Sequence, residues 1–216
     1  MEPVAVDAVL TGKAAPLRGD EPSAIRKSSR EGPVVIGPLG LEEDEQADLR
    51  VHGGPDKAVH HYPFDHYPFW KAMVPDHPRL DAPGGFGENI STSGLAESDV
   101  CIGDRFALGS AVVEISQGRQ PCWKQGHVME WNQLVAHMVK HRRIGWYYRV
   151  IEPGEVRAGD RLDLIDRPLP QWDVRRVFGL LIGGEGKDEL SAVEQLAELT
   201  VLAEEWRAKA RRLLAA

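Results

Sequence analysis

One short phrase occurs twice in this chain and limits what it can fold into. Val100-Cys101-Ile102-Gly103-Asp104-Arg105-Phe106 is echoed by Val156-Arg157-Ala158-Gly159-Asp160-Arg161-Leu162. In each copy a Gly-Asp pair suits a tight turn that feeds a strand. Apolar runs follow at 106–108 and 111–115 after the first copy and at 162–165 after the second. Val4, Val6, Ala8 and Leu10 alternate as one face of a half-buried strand does. Val34-Val35-Ile36 is a short apolar run between turn formers, 49–51 leads into the sharp turn His52-Gly53-Gly54-Pro55, and 57–62 reads as a further strand. Many short strands punctuated by glycine and aspartate favour a compact β-barrel. The two copies are too short for a repeat architecture.

Helical signals are fewer. Segment 63–73 resembles a helix after a proline start, interrupted by Pro68. Segment 129–141 places Trp131, Leu134, Val135 and Met138 on one face, and 142–151 reads as a basic, aromatic strand. The character changes at Arg167-Pro168-Leu169-Pro170, a linker or domain edge. Beyond it Val174, Val177 and Leu181 form one stripe, ended by Gly183-Gly184. Ser191 and Glu194 have capping-box spacing for a second helix, and Thr200 is placed to cap a third running through Trp206 and Leu213. The expected fold is mainly β (α+β). Residues 1–167 make a β-barrel domain and 172–216 a three-helix appendage, packed on the barrel or on a second copy, as in a homodimer.

A length of 216 residues suits one main domain plus an appendage, and a 42% hydrophobic share can bury a core without staples. The formal net charge of −7 argues against a nucleic-acid surface covering the protein, and leaves room for a local basic pocket that takes an anionic cofactor. Cys101 and Cys122 cannot build a disulfide framework or a four-thiolate zinc site. Residues 1–12 lack a secretory pattern, and no run approaches membrane-span length. The expectation is a cytoplasmic protein with no nucleic-acid or membrane partner.

Four constellations carry chemistry. In Gly118-Arg119-Gln120-Pro121-Cys122-Trp123-Lys124, the cations of Arg119 and Lys124 favour the thiolate of Cys122, a soft ligand that suits molybdenum or another thiophilic centre. The alternative is a buried cysteine acting as a small hydrophobe, which fits Cys101 better, between Val100 and Ile102. In His52-Gly53-Gly54-Pro55-Asp56-Lys57-Ala58-Val59-His60-His61-Tyr62, adjacent glycines let backbone N–H groups approach an anion and Lys57 adds a point charge. His52, His60, His61 and His66 also permit a zinc reading, without a standard zinc spacing; a strand would send His60 and His61 to opposite faces. Gly84-Gly85-Phe86-Gly87-Glu88-Asn89 is a glycine turn whose Glu88 and Asn89 carry the acceptors and donors that a pterin or purine edge needs. In Gly145-Trp146-Tyr147-Tyr148-Arg149-Val150, Arg149 suits a phosphate or carboxylate, although alternating aromatics also suit a core.

Taken in order, VHGGPDKAVHHYP, GGFGENIS, VCIGDRF, SQGRQPCWKQ and RIGWYYRVIEPG resemble the MOSC family, the C-terminal domain of molybdenum-cofactor sulfurase, and in particular its YiiM-type bacterial members. The likeness runs from about residue 20 to the C-terminus, whose helices look like the 3-alpha appendage of that subfamily. It implies a β-barrel-containing fold and a site for the molybdenum cofactor (molybdopterin), with Cys122 as molybdenum ligand and Lys57, Glu88, Asn89 and Arg119 around the cofactor. With His61 and Arg149 these form the expected cofactor-binding set. Glu43 stands where the family pattern has a glycine after a Gly-Leu turn. The family includes the mitochondrial amidoxime-reducing component, and its YiiM-type members are linked with reduction, and so detoxification, of N-hydroxylated bases. The resemblance therefore implies reduction of an N-hydroxylated small molecule, with electrons from a separate reductase, since no flavin, haem or iron–sulfur motif is visible. A carrier of the cofactor, or of sulfur on Cys122, is the alternative.

Overall fold

The computed structural model describes residues 1–47 and 53–216. The approach at 49–51 and His52 lie outside them. Among the described residues, seven strands close into a barrel: β1 (Val4–Thr11), β2 (Val59–His61), β3 (Ile90–Thr92), β4 (Arg105–Leu108), β5 (Ala111–Gly118), β6 (Trp146–Glu152) and β7 (Arg161–Asp166). Their order around the barrel is β7-β4-β5-β6-β2-β3-β1, and β1 closes it by pairing antiparallel with β7, Val4 opposite Leu162. The β2–β3 pair is parallel and the other neighbours antiparallel. Closure satisfies the backbone of every barrel edge.

The duplicated phrase becomes duplicated geometry. Asp104 N–H donates to the Cys101 carbonyl at 3.0 Å, and Asp160 N–H to the Arg157 carbonyl at 3.2 Å. Each aspartate carboxylate then accepts the N–H of its turn's first residue, Cys101 at 2.8 Å and Arg157 at 3.0 Å. Gly103 and Gly159 hold φ of +83° and +89° at the third position, as a type II turn requires. The two turns launch β4 and β7, which lie side by side with Leu108 opposite Leu162.

The strand run at 34–36 forms outside the barrel: Val34–Gly37 pairs with Gly154–Val156 and with Gly40–Leu41. Glu43, in the place of the family's glycine, has φ of +63°, so the local turn keeps a glycine-like backbone under a different side chain.

The helices depart from the local signals where tertiary contacts set their ends. Helix α1 is Tyr67–Met73, with Pro68 in its first turn, where a missing N–H costs nothing; the proline starts the helix instead of interrupting it. The helix predicted at 129–141 starts later: a separate short helix α2 (Trp123–Val128) precedes the predicted range, Glu130 holds φ of +48°, and α3 covers Leu134–His141 only. After residue 172 come α4 (Val174–Leu181), α5 (Leu190–Glu198) and α6 (Glu204–Leu214). Asp173 caps α4 by accepting the Arg176 N–H at 2.8 Å. Neither of the two predicted caps, Ser191 and Thr200, is used. The turn at Glu185–Lys187 leads into α5 through Glu189, ahead of Ser191. Helix α6 is capped at Ala203, not Thr200, because Ala203 N–H is tied to the Ser116 carbonyl of β5 at 3.0 Å. These helices pack on their own barrel, with Trp206 of α6 fully buried over Gly118; a Cβ at Gly118 would lie 2.9 Å from the indole.

A buried ionic cluster joins α1 to the start of β6. The Glu97 carboxylate accepts from the His66 ring at 2.8 Å and from the N–H groups of Ile144 and Gly145 at 2.7 Å, while Arg143 meets the other His66 nitrogen at 2.6 Å. Burial raises the Glu97 pKa, but the His66 contact and the backbone donors outweigh it and hold the carboxyl below its ordinary range. A carboxylate with a depressed folded pKa contributes stability that is complete above its unfolded value and is lost as pH falls through the folded one. Denaturant unfolding should therefore show stability falling below about pH 4.5, and Glu97→Gln should be less stable at pH 7 with a shallower loss on the acid side. Parallel acid limbs in both proteins would contradict this assignment.

Candidate functional site

The site is set by strand parity. Residues directly opposite one another in antiparallel strands share a face. His60 of β2 lies opposite Tyr147 of β6, and Tyr147 lies opposite Gln117 of β5. The last pairing depends on a bulge: the register shifts between Ile115 and Gln117, leaving Ser116 out of the ladder. The row His60–Tyr147–Gln117 faces outward. The alternate row, with His61 opposite Trp146, faces the barrel interior.

His60 and Tyr147 of the outward row line a cleft, walled on its other sides by Ser23–Ile25, the Asp44–Ala47 segment, Gly87 and Asn89, and the end of β5 leading into α2. Its cations are Lys27, Lys57, Arg119 and Lys124, against the carboxylates of Asp44 and Glu45. Lys27 is ion-paired with Asp44, both nearly buried. Burial depresses the Lys27 pKa, with Asp44 working against the shift. Lys124 donates to the Pro22 carbonyl at 3.1 Å and pairs with Glu21 at 3.5 Å. Lys57, at the end of the turn Pro55–Lys57, is ion-paired with Glu205 of α6.

Arg119 and His60 are unlike these. Arg119 is 6% exposed, no carboxylate among the described residues pairs with it, and its Nε and Nη1 are buried without partners. Burial opposes its charge, but the neighbouring Tyr147 and Cys122 outweigh that and keep the guanidinium firmly protonated. His60 is 3% exposed, and burial, then the Arg119 charge, hold its pKa well below the ordinary range, so the ring is neutral. Its Nδ1 contacts the Gly87 carbonyl at 3.1 Å and must be the protonated nitrogen; Nε2 is left as a buried acceptor with no partner. Orphaned buried polar atoms are rare in folded proteins and costly. A group carrying both an anionic moiety and N–H donors would satisfy them together.

Cys122 lies at the N-cap of α2, half-buried in the same cleft, its backbone N–H given to the Gln125 side chain at 3.3 Å. Cys101 is buried under the first Gly-Asp turn, its thiol near the Pro170 carbonyl at 3.7 Å; burial, then the Asp104 charge, push its pKa up to about 11.

Of the residues expected to surround a cofactor, Cys122, Lys57, Arg119 and Asn89 line the cleft. Asn89 is held there by three bonds: its Oδ1 accepts the His60 N–H at 3.0 Å, and its Nδ2 donates to the Leu10 carbonyl at 3.1 Å and to Asp44 at 2.8 Å. The other three are placed elsewhere. His61 points into the barrel, with one ring nitrogen 3.0 Å from the Tyr148 hydroxyl and the other 2.9 Å from Thr92 Oγ1. Burial drives its pKa to about 3, and both nitrogens are used. Glu88 is fully buried and braces its glycine turn, accepting the N–H groups of Gly84 at 2.7 Å and Phe86 at 3.1 Å and the Tyr67 hydroxyl. Arg149 donates to Asp56 and Glu114, each at 2.8 Å, and to the Val201 carbonyl at 2.9 Å. It fixes the turn that carries Lys57 and the segment before α6, and does not reach the cleft. These three side chains are held by protein partners and do not line the cleft. Partners remote in sequence decide where these side chains point. His60 and Lys27, which do line the cleft, were not singled out as cofactor contacts. Only the parity of the short strand at 59–61 could have separated His60 from His61.

No helix among the described residues is long and apolar enough to cross a membrane. The MOSC domain family model matches residues 48–163. Protein YiiM of Escherichia coli (strain K12) is 43% identical over 159 residues, covering 74% of this chain and 71% of that protein. A protein named Reductase from Gibberella moniliformis is 39% identical over 166 residues, 76% of this chain but 29% of that much longer protein. The crystal structure of YiiM from Geobacillus stearothermophilus superposes with a TM-score of 0.82 at 28% identity, over 98% of this chain and 99% of that one. The barrel, the cleft at the end of β5 and these likenesses agree: the chain belongs to the MOSC domain family.

Proposed function

We propose that this chain binds the molybdenum cofactor through Cys122 and reduces N-hydroxylated bases or related N-oxygenated small molecules. The observation that carries this reading is the set of unpartnered buried atoms beside Cys122, Arg119 Nε and Nη1 and His60 Nε2. These fit a ligand that is anionic at one end and N–H-bearing at another, as a pterin phosphate is. Arg119 and Lys57 would offset the phosphate charge, His60 would accept a pterin N–H, and Asn89 would hold the His60 backbone in place. Cys122 offers a soft sulfur for the metal. When bound, the cofactor supplies two-electron redox chemistry that the side chains alone lack.

The overall change is R–NH–OH + 2 e⁻ + 2 H⁺ → R–NH₂ + H₂O, with the N–O bond broken and the electrons supplied by a separate reductase. A reducing, cytoplasmic setting would suit the free Cys122 thiol. The test is expression in a host that makes the cofactor, metal and pterin analysis, and benzamidoxime reduction with an artificial reduced donor. Protein with full cofactor content and no turnover on any N-oxygenated compound would favour the carrier alternative.

Two outcomes follow for variants. Cys122→Ser should lose molybdenum and activity while keeping the fold, because a serine hydroxyl is a harder and far weaker ligand. In apoprotein, iodoacetamide at pH 8 should label Cys122 and spare Cys101 until unfolding; Cys101→Ser should cost about 1–3 kcal/mol if its hydroxyl is left unpaired and should spare turnover. Full metal content in Cys122→Ser would overturn the ligand assignment. Arg119→Met removes the charge that would meet the cofactor's anionic group, so cofactor retention should weaken by about 1–3 kcal/mol while the apoprotein keeps its fold. A destabilised apoprotein that retains its cofactor would assign Arg119 to structure instead.

A further inference from the structure

The ionic cluster around Glu97 and the unpartnered atoms of the cleft meet at one residue, Gly145. Strand β5 ends at Gly118 and β6 begins at Trp146, opposite one another. One further rung lies beyond those ends: the Gly145 carbonyl accepts the Arg119 N–H at 3.0 Å. Gly145 also touches the orphaned ring. A Cβ there would lie 2.3 Å from the His61 carbonyl oxygen and 3.2 Å from His60 Nε2, and its φ is +72°, so only glycine fits.

A rung past the end of a ladder frays unless something holds it. Glu97, 2% exposed, does so from behind the cleft by accepting the N–H groups of both Ile144 and Gly145. His66 fixes the carboxylate in turn, and Arg143 fixes His66. The position calls for a carboxylate and not merely an oxygen. An amide whose oxygen served the two N–H groups would turn its NH₂ toward His66 Nε2. That nitrogen would have to accept, and its proton would move to Nδ1, against the donor of Arg143. Neither Glu97 nor His66 lines the cleft.

We propose that Glu97 is a positioning residue for the cofactor cleft, acting through Gly145 to hold the backbone that aims the Arg119 guanidinium. The inference rests on the cofactor reading for what Arg119 meets, and on the backbone geometry alone for the coupling. A binding group is precise only where its own support is held. The satisfied cluster thereby keeps the unsatisfied one in place for its ligand.

Two measurements test this, each with Asp104→Asn as the control for lost stability. Asp104 is also a fully buried carboxylate, but it serves the Cys101 N–H and Arg167 and does not line the cleft. In apoprotein, the Arg119 amide should exchange its hydrogen at least tenfold faster in Glu97→Gln, beyond any change in the β4 and β7 amides. In Asp104→Asn it should change only as those amides do. In cofactor-loaded protein, the rate of pterin loss on dilution should rise at least threefold in Glu97→Gln and less than twofold in Asp104→Asn. On an Arg119→Met background, Glu97→Gln should speed loss less than twofold, because residues acting through one another are not additive. Equal pterin loss in Glu97→Gln and Asp104→Asn, full additivity with Arg119→Met, or unchanged Arg119 exchange would each overturn the positioning role and leave Glu97 to stability alone. Faster Arg119 exchange in Glu97→Gln, with Arg119→Met losing pterin no faster than wild type, would keep the hold of Glu97 on Arg119 and defeat the cofactor contact instead.

Discussion

The outward row Gln117–Tyr147–His60 is the constraint on which the rest depends. Side chains alternate faces along a strand, so a slip of one residue in either ladder would exchange every inward and outward position. His61, Trp146 and Tyr148 would then meet the cleft, and His60 and Tyr147 would enter the core. The bulge at Ser116 brings β5 into this register, and the freed residue is not idle. Its hydroxyl donates to the Asp56 carbonyl at 2.5 Å and its carbonyl accepts the Ala203 N–H. One irregularity therefore aligns Gln117 with Tyr147, seats the turn that carries Lys57, and fixes the start of α6.

Two buried polar clusters lie close in the fold and obey opposite rules. Around Glu97 every strong acceptor is served: the His66 ring, two backbone donors and the Arg143 contact behind the ring leave little unmet. Such a cluster holds elements together and favours one geometry. Around Arg119 and His60 the reverse holds, with two guanidinium nitrogens and a ring nitrogen removed from water and left without partners. Folding alone gains nothing from that arrangement. In a chain of net charge −7, cations gathered in a cleft are offset only in part by their own neighbours, which keeps the site ready for an anionic ligand.

The barrel was legible because its signals are local. Glycine at the third position of each repeated turn, followed by aspartate, dictates a turn and a strand start whatever surrounds it, and both turns form. Cys122, Arg119, Lys57 and Asn89 were legible as cleft residues because they flank glycine or proline turns at strand ends, where a closed barrel leaves its backbone accessible. What escaped was pairing across distance. Nothing near Arg149 announces that Asp56, Glu114 and the Val201 carbonyl will take its guanidinium, and nothing near Lys27 announces Asp44. Thr200 lost its expected capping role for the same reason, since a contact from Ala203 to the barrel outranks a local preference.

The proline-rich break at 168–170 reads as a boundary, yet the segment beyond it completes what precedes it. Gly118, the last residue of β5, has no side chain, and the indole of Trp206 occupies the space beside it. Because the strand end that leads to Arg119 and Cys122 is covered by α6, the helix cannot leave without exposing a large aromatic surface and the end of the barrel core. Glu205 precedes Trp206, and Lys209 lies one turn further, so the packing that buries the indole also carries both charged groups to Lys57 and Gln120. That packing is what brings the Glu205 carboxylate, on a helix outside the barrel, to the turn that carries Lys57.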